Sequence, residues 1–380
     1  MEHNAEKYAK GLREIIIKEE ETYDQLKICV DCNENSDSDN KDGGQDGGQH
    51  GGQNLSDLFS SIGDLPQETR KNPSHEEYQY LDLLKDILDN GTWEDGRNGR
   101  TTSVFGRSMR FSRKDGKIPI LTTKKTAWKT CLKELLWFIR GETDNMLLKE
   151  QGVHIWDANA SRDFLDSRGL KLYREDLIGP GYGYQWRYFN AAYNCITGKR
   201  ILDADAPGEE NIYAESIRLK GIDQLQQIID ALKDPSQRTT RRLVMTAWNP
   251  AQLDQMALPP CHILCQFNVH DGNKLSCSMY QRSNDEACGS CFNIASYSFL
   301  THLLAKHCNL EAYEFVYFKG NCHIYEDHVE GIKTQLLREP HPFPTVLIKQ
   351  IRENINDYEV SDFELFNYQH HPQIKFQMVA

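Results

Sequence analysis

Leu258-Pro259-Pro260-Cys261-His262-Ile263-Leu264-Cys265-Gln266-Phe267-Asn268-Val269 is the stretch from which the fold reads outward. Two prolines fix the entering backbone and deny it early ladder hydrogen bonds. The β-branched and apolar residues that follow predict a strand from Cys261 to Val269. Leu275–Gln281 reads as a second strand and Leu243–Trp248 as a third, all in one sheet. Phe292–His307 is a long apolar helix expected to be buried. Helical spacing also marks residues 75–89, Lys125–Arg140 and Ile222–Leu232. Ile118–Leu121 is short, apolar and strand-like. Strands and helices mix without a repeat of domain size, so the pattern predicts one mixed α/β domain (α+β type) over residues 74–380.

The N-terminal region differs in kind. Residues 1–73 carry 16 acids and 8 bases, which accounts for most of the chain's net charge of -12. Residues 1–28 read as a short amphipathic helix, and 33–57 are low complexity with a repeated Gly-Gly-Gln. Such a segment buries too little apolar surface to offset its ordering entropy, so 1–73 is expected to be a disordered extension. Polar residues 194–220 read as an exposed insertion. No long apolar run predicts a membrane span, and the acidic balance argues against nucleic-acid binding through the overall field. The start of the chain resembles neither a secretory signal nor a transit peptide. Eleven cysteines suggest reduced thiols and a cytoplasmic setting. Cys29-x-x-Cys32 and Cys288-x-x-Cys291 lack partner histidine spacing, so no metal site is expected.

Several residues carry possible chemistry. Cys261, held at a strand start near positive charge, is a candidate nucleophile or a structural cysteine. His262 beside it is a base or a plain polar contact. In Tyr280-Gln281-Arg282-Ser283-Asn284-Asp285, alternation separates Tyr280 and Arg282 from Gln281. Arg282 with Ser283 suits a phosphate, because a guanidinium fork matches phosphate oxygens. Arg241-Arg242 before a buried strand suits phosphate or a surface ion pair. Glu134 sits at the edge of an apolar helical arc, where partial desolvation raises a carboxyl's pKa. Asn293, near the start of the buried helix, is a cap or a reader of a base edge. His323 and Tyr325 share one strand face. Cys288 and Cys291 flank the same helix start, where the dipole should lower a thiol's pKa.

Together these motifs resemble the thymidylate synthase family nearly end to end from about His75. The matching blocks are Ser103-Val104-Phe105-Gly106, Glu134-Leu135-Leu136-Trp137-Phe138, Ile155-Trp156-Asp157, Gly179-Pro180 with Tyr182-Gly183 and Gln185-Trp186, Ala257 to His262, Tyr280 to Ser283 with Asp285, Phe292 to Tyr297, and His323-Ile324-Tyr325. The resemblance implies the family's fold, dimerising through its sheet. It implies methylation of dUMP to dTMP with 5,10-methylenetetrahydrofolate as co-substrate and no metal.

The resemblance also implies roles. Cys261 would add to C6 of uracil, and Arg282 and its partners would favour its thiolate. Glu134, Tyr182, His262, Asn293 and Asp285 would serve catalysis. Arg97 (with Arg100 as the alternative), Gln281, Arg282, Ser283, His323 and Tyr325 would bind dUMP, joined by Arg241 and Arg242 from the other subunit of a homodimer. Ile155, Trp156, Asn159, Asp285 and Phe292 would line the folate site, closed by Met378, Val379 and Ala380. Cys288, Cys291 and Asn321 depart from the family's usual leucine, proline and aspartate. The alternatives are a pyrimidine hydroxymethylase of the same fold and an inactive regulatory paralogue.

Overall fold

The computed structural model describes residues 70–96, 99–201 and 220–377. The expectations for residues 1–69, for Arg97, for most of the 194–220 insertion and for Met378, Val379 and Ala380 lie outside them.

The described elements are α1 (Tyr78–Asn90), β1 (Thr92–Gly96), β2 (Gly99–Ser112), α2 (Trp128–Ile139), α3 (Met146–Lys149), α4 (Arg162–Ser167), α5 (Gly183–Tyr188), α6 (Gln224–Lys233), β3 (Val244–Thr246), β4 (His262–His270), β5 (Lys274–Asp285), α7 (Gly289–His307), β6 (Glu311–Tyr325), α8 (Val329–Leu336), β7 (Thr345–Ile348) and β8 (Phe363–Phe366). Six strands form one mixed sheet in the order β1-β2-β6-β5-β4-β3. All neighbours are antiparallel except β5 and β6, which run parallel. That parallel pair requires a crossover, and α7 supplies it. β7 and β8 form a separate antiparallel ribbon.

The three strands expected around Cys261 are all present in this sheet. Leu275, Cys277, Met279 and Gln281 of β5 point inward and are buried, with Tyr280 outward. α7 is apolar on every side, and a helix of that kind must be enclosed. Ile294, Phe299, Leu300, Leu303 and Leu304 are indeed fully buried.

The opposite sheet face is different. Leu264, Tyr280 and Phe318 pair directly in register across β4, β5 and β6, and all three are exposed. They make a continuous apolar row.

Ile118–Leu121 is not a strand. The segment is fully buried but irregular. Pro119 has no N–H to offer a ladder, and the Ile118 N–H bonds the Pro344 carbonyl while that of Ile120 turns back to Ile118. An apolar run of four residues cannot by itself distinguish a buried strand from buried coil. Among the described residues no helix is long and apolar enough to cross a membrane.

Candidate active site

The prolines place Cys261 in a bend immediately before β4. The β4–β5 register slips between His262 and Leu264. A bulge of this kind re-aims a strand's first side chains. Arg282 holds the approach from behind. Its Nε donates to the Pro260 carbonyl at 2.9 Å and its Nη2 to the Pro259 carbonyl at 3.0 Å. Its backbone N–H donates to the Cys261 carbonyl at 2.9 Å, and the guanidinium lies 5.5 Å from the Trp248 ring centroid. One residue therefore clamps the dipeptide that presents the thiol.

Tyr182 caps the other side. Its hydroxyl accepts from the Cys261 N–H at 3.0 Å. It caps α5 with a φ of 41°, a left-handed conformation unusual for tyrosine and found where surrounding structure over-determines it. That structure is aromatic. The Tyr182 ring stacks on Phe138 at 5.0 Å and lies 4.5 Å from His262 and 5.5 Å from Trp156. Gly183 follows because a Cβ there would meet the Phe138 carbonyl oxygen at 2.3 Å.

Burial sets the protonation states here. It drives the Tyr182 phenol far above its usual range. It pulls His262 down to about 3, so the imidazole is neutral, in hydrogen-bond contact with the Tyr297 hydroxyl at 2.8 Å. Burial pushes Glu134 up to about 7, against the opposing pull of the Trp156 Nε1–H, which it accepts at 2.8 Å. The partial desolvation expected of Glu134 is present.

Cys261 requires a distinction. Burial raises the thiol's pKa, while the Arg282 charge and the Tyr182 hydrogen bond lower it. Arg282 thus acts in the expected direction, but burial outweighs it. For Cys288 and Cys291 the expected lowering is overturned. Burial pushes both thiols up, with Asp285 adding to the effect, and the helix start does not compensate.

Asn293 lies one turn into α7, whose N-cap is Cys288, so it is not a cap. Its Nδ2 donates to Gln281 Oε1 at 2.7 Å. Gln281 is buried and stands opposite His262 in the β4–β5 register. Ser283 and Asp285 stand opposite Asn321 and His323 of β6. His323 Nδ1 donates to Asn321 Oδ1 at 2.8 Å and the ring lies edge-on to Tyr325 at 5.4 Å. Asn159 and Trp156 are buried, while Ile155 and Phe292 are half-buried against the core.

The described site residues are thus largely contiguous, with one exception. Arg241 and Arg242 are exposed in the turn before β3 and make no ion pair among the described residues. Val244 pairs with Gln266, so this turn lies at the far end of β4 from Cys261, roughly 20 Å away at about 3.3 Å per residue. Arg100 pairs with Glu326 at 3.1 Å.

Sequence reading missed several residues. Tyr297 and Trp248 contact the site, and no local pattern marks them. Glu286 and Lys319 form a fully buried ion pair at 2.8 Å. Strand parity could have flagged Lys319, since it shares a face with the buried Phe315 and Tyr317. His328, also missed, is buried with its Nε2 2.8 Å from the Gln377 carbonyl. Its Nδ1 lies 3.9 Å from Asp285. Ligand atoms of Asp285, Cys288 and His328 come within 4.8 Å of one another. However, Asp285 Oδ1 already accepts the Ala287 and Cys288 N–H groups at 2.9 and 3.2 Å.

Residues 78–380 match the family model described as thymidylate synthase. The chain is 46% identical over 309 residues to the bifunctional dihydrofolate reductase-thymidylate synthase of Leishmania major, covering 81% of this chain and 56% of that one. It is 46% identical over 312 residues to the bifunctional enzyme of Plasmodium berghei, covering 82% and 49%. It is 45% identical over 315 residues to the thymidylate synthase of Homo sapiens, covering 83% and 94%. The chain therefore spans about half the length of the bifunctional relatives it matches, and nearly all of the human one.

Proposed function

This chain belongs to the thymidylate synthase family, and from that premise we propose that it converts dUMP to dTMP with 5,10-methylenetetrahydrofolate. The observation that carries the reading is the joint placement of Cys261, Tyr182, Arg282 and Glu134 in one dry aromatic corner.

The residues divide the work. Arg282 and Ser283 hold the phosphate, and His323 and Tyr325 the deoxyribose. Phosphate binding brings C6 of the pyrimidine to Cys261 Sγ. The thiol is the resting form. Sγ bonds to C6 while the thiol proton passes by way of Glu134 to O4 of the enol that forms, and the Arg282 guanidinium stabilises the thiolate character that develops on the way. Asn293 reads N3–H and O4 of uracil. Glu134, poised near neutrality, moves protons at C5 and O4 through hydrogen bonds, which suits a general acid-base group. Methylenetetrahydrofolate, as co-substrate, supplies both the one-carbon unit and the hydride, leaving as dihydrofolate. The donor set fits its pterin: Asp285 offers a carboxylate acceptor, and Ile155, Trp156 and Phe292 offer apolar walls. Asn159 and the C-terminal Met378, Val379 and Ala380 complete that site.

A homodimer accounts for two further features. The apolar row Leu264, Tyr280 and Phe318 gives a second copy a surface to cover. Arg241 and Arg242 are too far from Cys261 of their own chain to share its phosphate, so they serve the partner's site. Arg97 is the remaining phosphate ligand, since Arg100 is engaged by Glu326. The reaction needs no metal, membrane or nucleic acid, and a cytoplasmic location suits the reduced thiols.

The full chain with dUMP and methylenetetrahydrofolate should form dihydrofolate, followed spectrophotometrically. Cys261→Ser should abolish turnover and keep dUMP binding. Full activity in that variant would sink the mechanism. Recovery of hydroxymethylated instead of methylated product would favour the hydroxymethylase.

A further inference from the structure

A line of buried hydrogen bonds runs from Lys319 to Asn293. The Lys319 ammonium donates to Glu286 Oε2 and to Ser290 Oγ, both at 2.8 Å. Glu286 Oε1 accepts from Asn284 Nδ2 at 2.9 Å. Asn284 Oδ1 accepts from Gln281 Nε2 at 2.8 Å. Gln281 Oε1 accepts from Asn293 Nδ2 at 2.7 Å and from the Tyr317 hydroxyl. Glu286, Asn284 and Ser290 are completely buried, and Lys319 and Gln281 nearly so.

The direction of every bond follows from the ion pair. An ammonium only donates, and a carboxylate facing it only accepts. Asn284 must then turn its NH₂ toward Glu286 and its oxygen toward Gln281. Gln281 must turn its NH₂ toward Asn284, and the Ser283 carbonyl, accepting from the same nitrogen at 2.9 Å, reinforces this. Only an oxygen remains to face Asn293, whose NH₂ must point to it. A carboxamide normally has two nearly isosteric orientations. Here a distant charge removes one of them through three amides.

We propose that Glu286, paired with Lys319, is a positioning residue for substrate specificity: it fixes the amide polarity of Asn293 and so the pyrimidine accepted. The proposal rests on the reading of Asn293 as the base reader. With Nδ2 held toward Gln281, Oδ1 and the remaining N–H have fixed places. Uracil, with a donor at N3 and an acceptor at O4, meets an amide that cannot flip. Cytosine, with acceptor and donor exchanged, would require that flip. Reversing Asn293 would set its oxygen against the Gln281 oxygen, and the mismatch would travel back to a carboxylate that cannot donate.

The test is the double variant Glu286→Gln with Lys319→Met, which keeps the volumes but gives the line an end that can donate or accept. The ratio of kcat/KM for dUMP over dCMP should fall roughly tenfold, about the net worth of one directional hydrogen bond. Lys319→Arg with Glu286 retained should keep the wild-type ratio. A structural role alone would depress both nucleotides together, so an unchanged ratio in the folded double variant overturns the proposal. Wild-type protein selectively ¹⁵N-labelled at asparagine gives a second reading without turnover. Asn293 should show one side-chain N–H strongly protected from exchange. Two exchanging amide orientations would overturn the proposal even if the double variant does not fold. Failure of the wild type to turn over dUMP would strike the functional reading instead, and the labelled amide would still decide the orientation.

Discussion

Glu134 and Glu77 are both glutamates removed from water at helix surfaces, yet their surroundings are opposite. Glu77, before α1, is completely buried. Its carboxylate accepts from the backbone N–H and hydroxyl of both Thr122 and Thr123, at 2.7 to 3.0 Å. Four donor groups thus tie α1 to the 122–123 segment. Glu134, on α2, is desolvated as well but meets one donor among the described residues, Trp156 Nε1. The difference lies in solvation by protein. A carboxylate whose lone pairs are all satisfied holds the chain together. One left under-satisfied is raised toward neutrality and can take or give a proton at little cost.

The largest expected effect that would break this contrast is on turnover. Glu134→Gln should lower kcat by about 10²–10⁴, the usual worth of a positioned acid-base group, with no loss of thermal stability. A variant retaining more than a third of wild-type kcat would show that Glu134 is not the proton-transfer group. The same change at Glu77 should act on the fold. Glu77→Gln replaces acceptor capacity with an NH₂ among donors and should cost on the order of 1–3 kcal/mol, measured by denaturant unfolding, while the folded fraction keeps near-normal kcat. A stable but inactive Glu77→Gln protein would erase the distinction.

The smallest effect sharpens it through pH. Glu134 has a raised pKa in the folded state, so between about 4.5 and about 7 the folded protein binds more proton than the unfolded chain. Its contribution to stability is therefore lost as pH rises through that window, then levels off. Unfolding free energies at pH 5 and pH 8 should show this fall, and Glu134→Gln should reduce it. An identical pH dependence in the variant would mean that other groups govern that window.

Much of the candidate site was legible because its residues sit at local landmarks. The prolines before Cys261, the alternation through Gln281 and Arg282, and the apolar arc beside Glu134 are patterns within a few residues. Two features escaped for physical reasons. The Lys319–Glu286 pair spans 33 residues and exists only because β5 and β6 run parallel, a register no local period reveals. α5 begins at a tyrosine with positive φ, which propensity alone disfavours. Ile118–Leu121 failed in the other direction, since apolar character reports burial but not pairing. The thiols of Cys288 and Cys291 show a similar limit: position at a helix start was readable, and depth of burial was not.

The row Leu264, Tyr280 and Phe318 has a thermodynamic consequence. If a second copy covers it, folding and association are a single equilibrium, and stability acquires the dimension of concentration. Dilution then acts as a mild denaturant. The midpoint of thermal unfolding would slide downward as protein is diluted, while a charge placed at Phe318 would mimic dilution without changing any residue near Cys261.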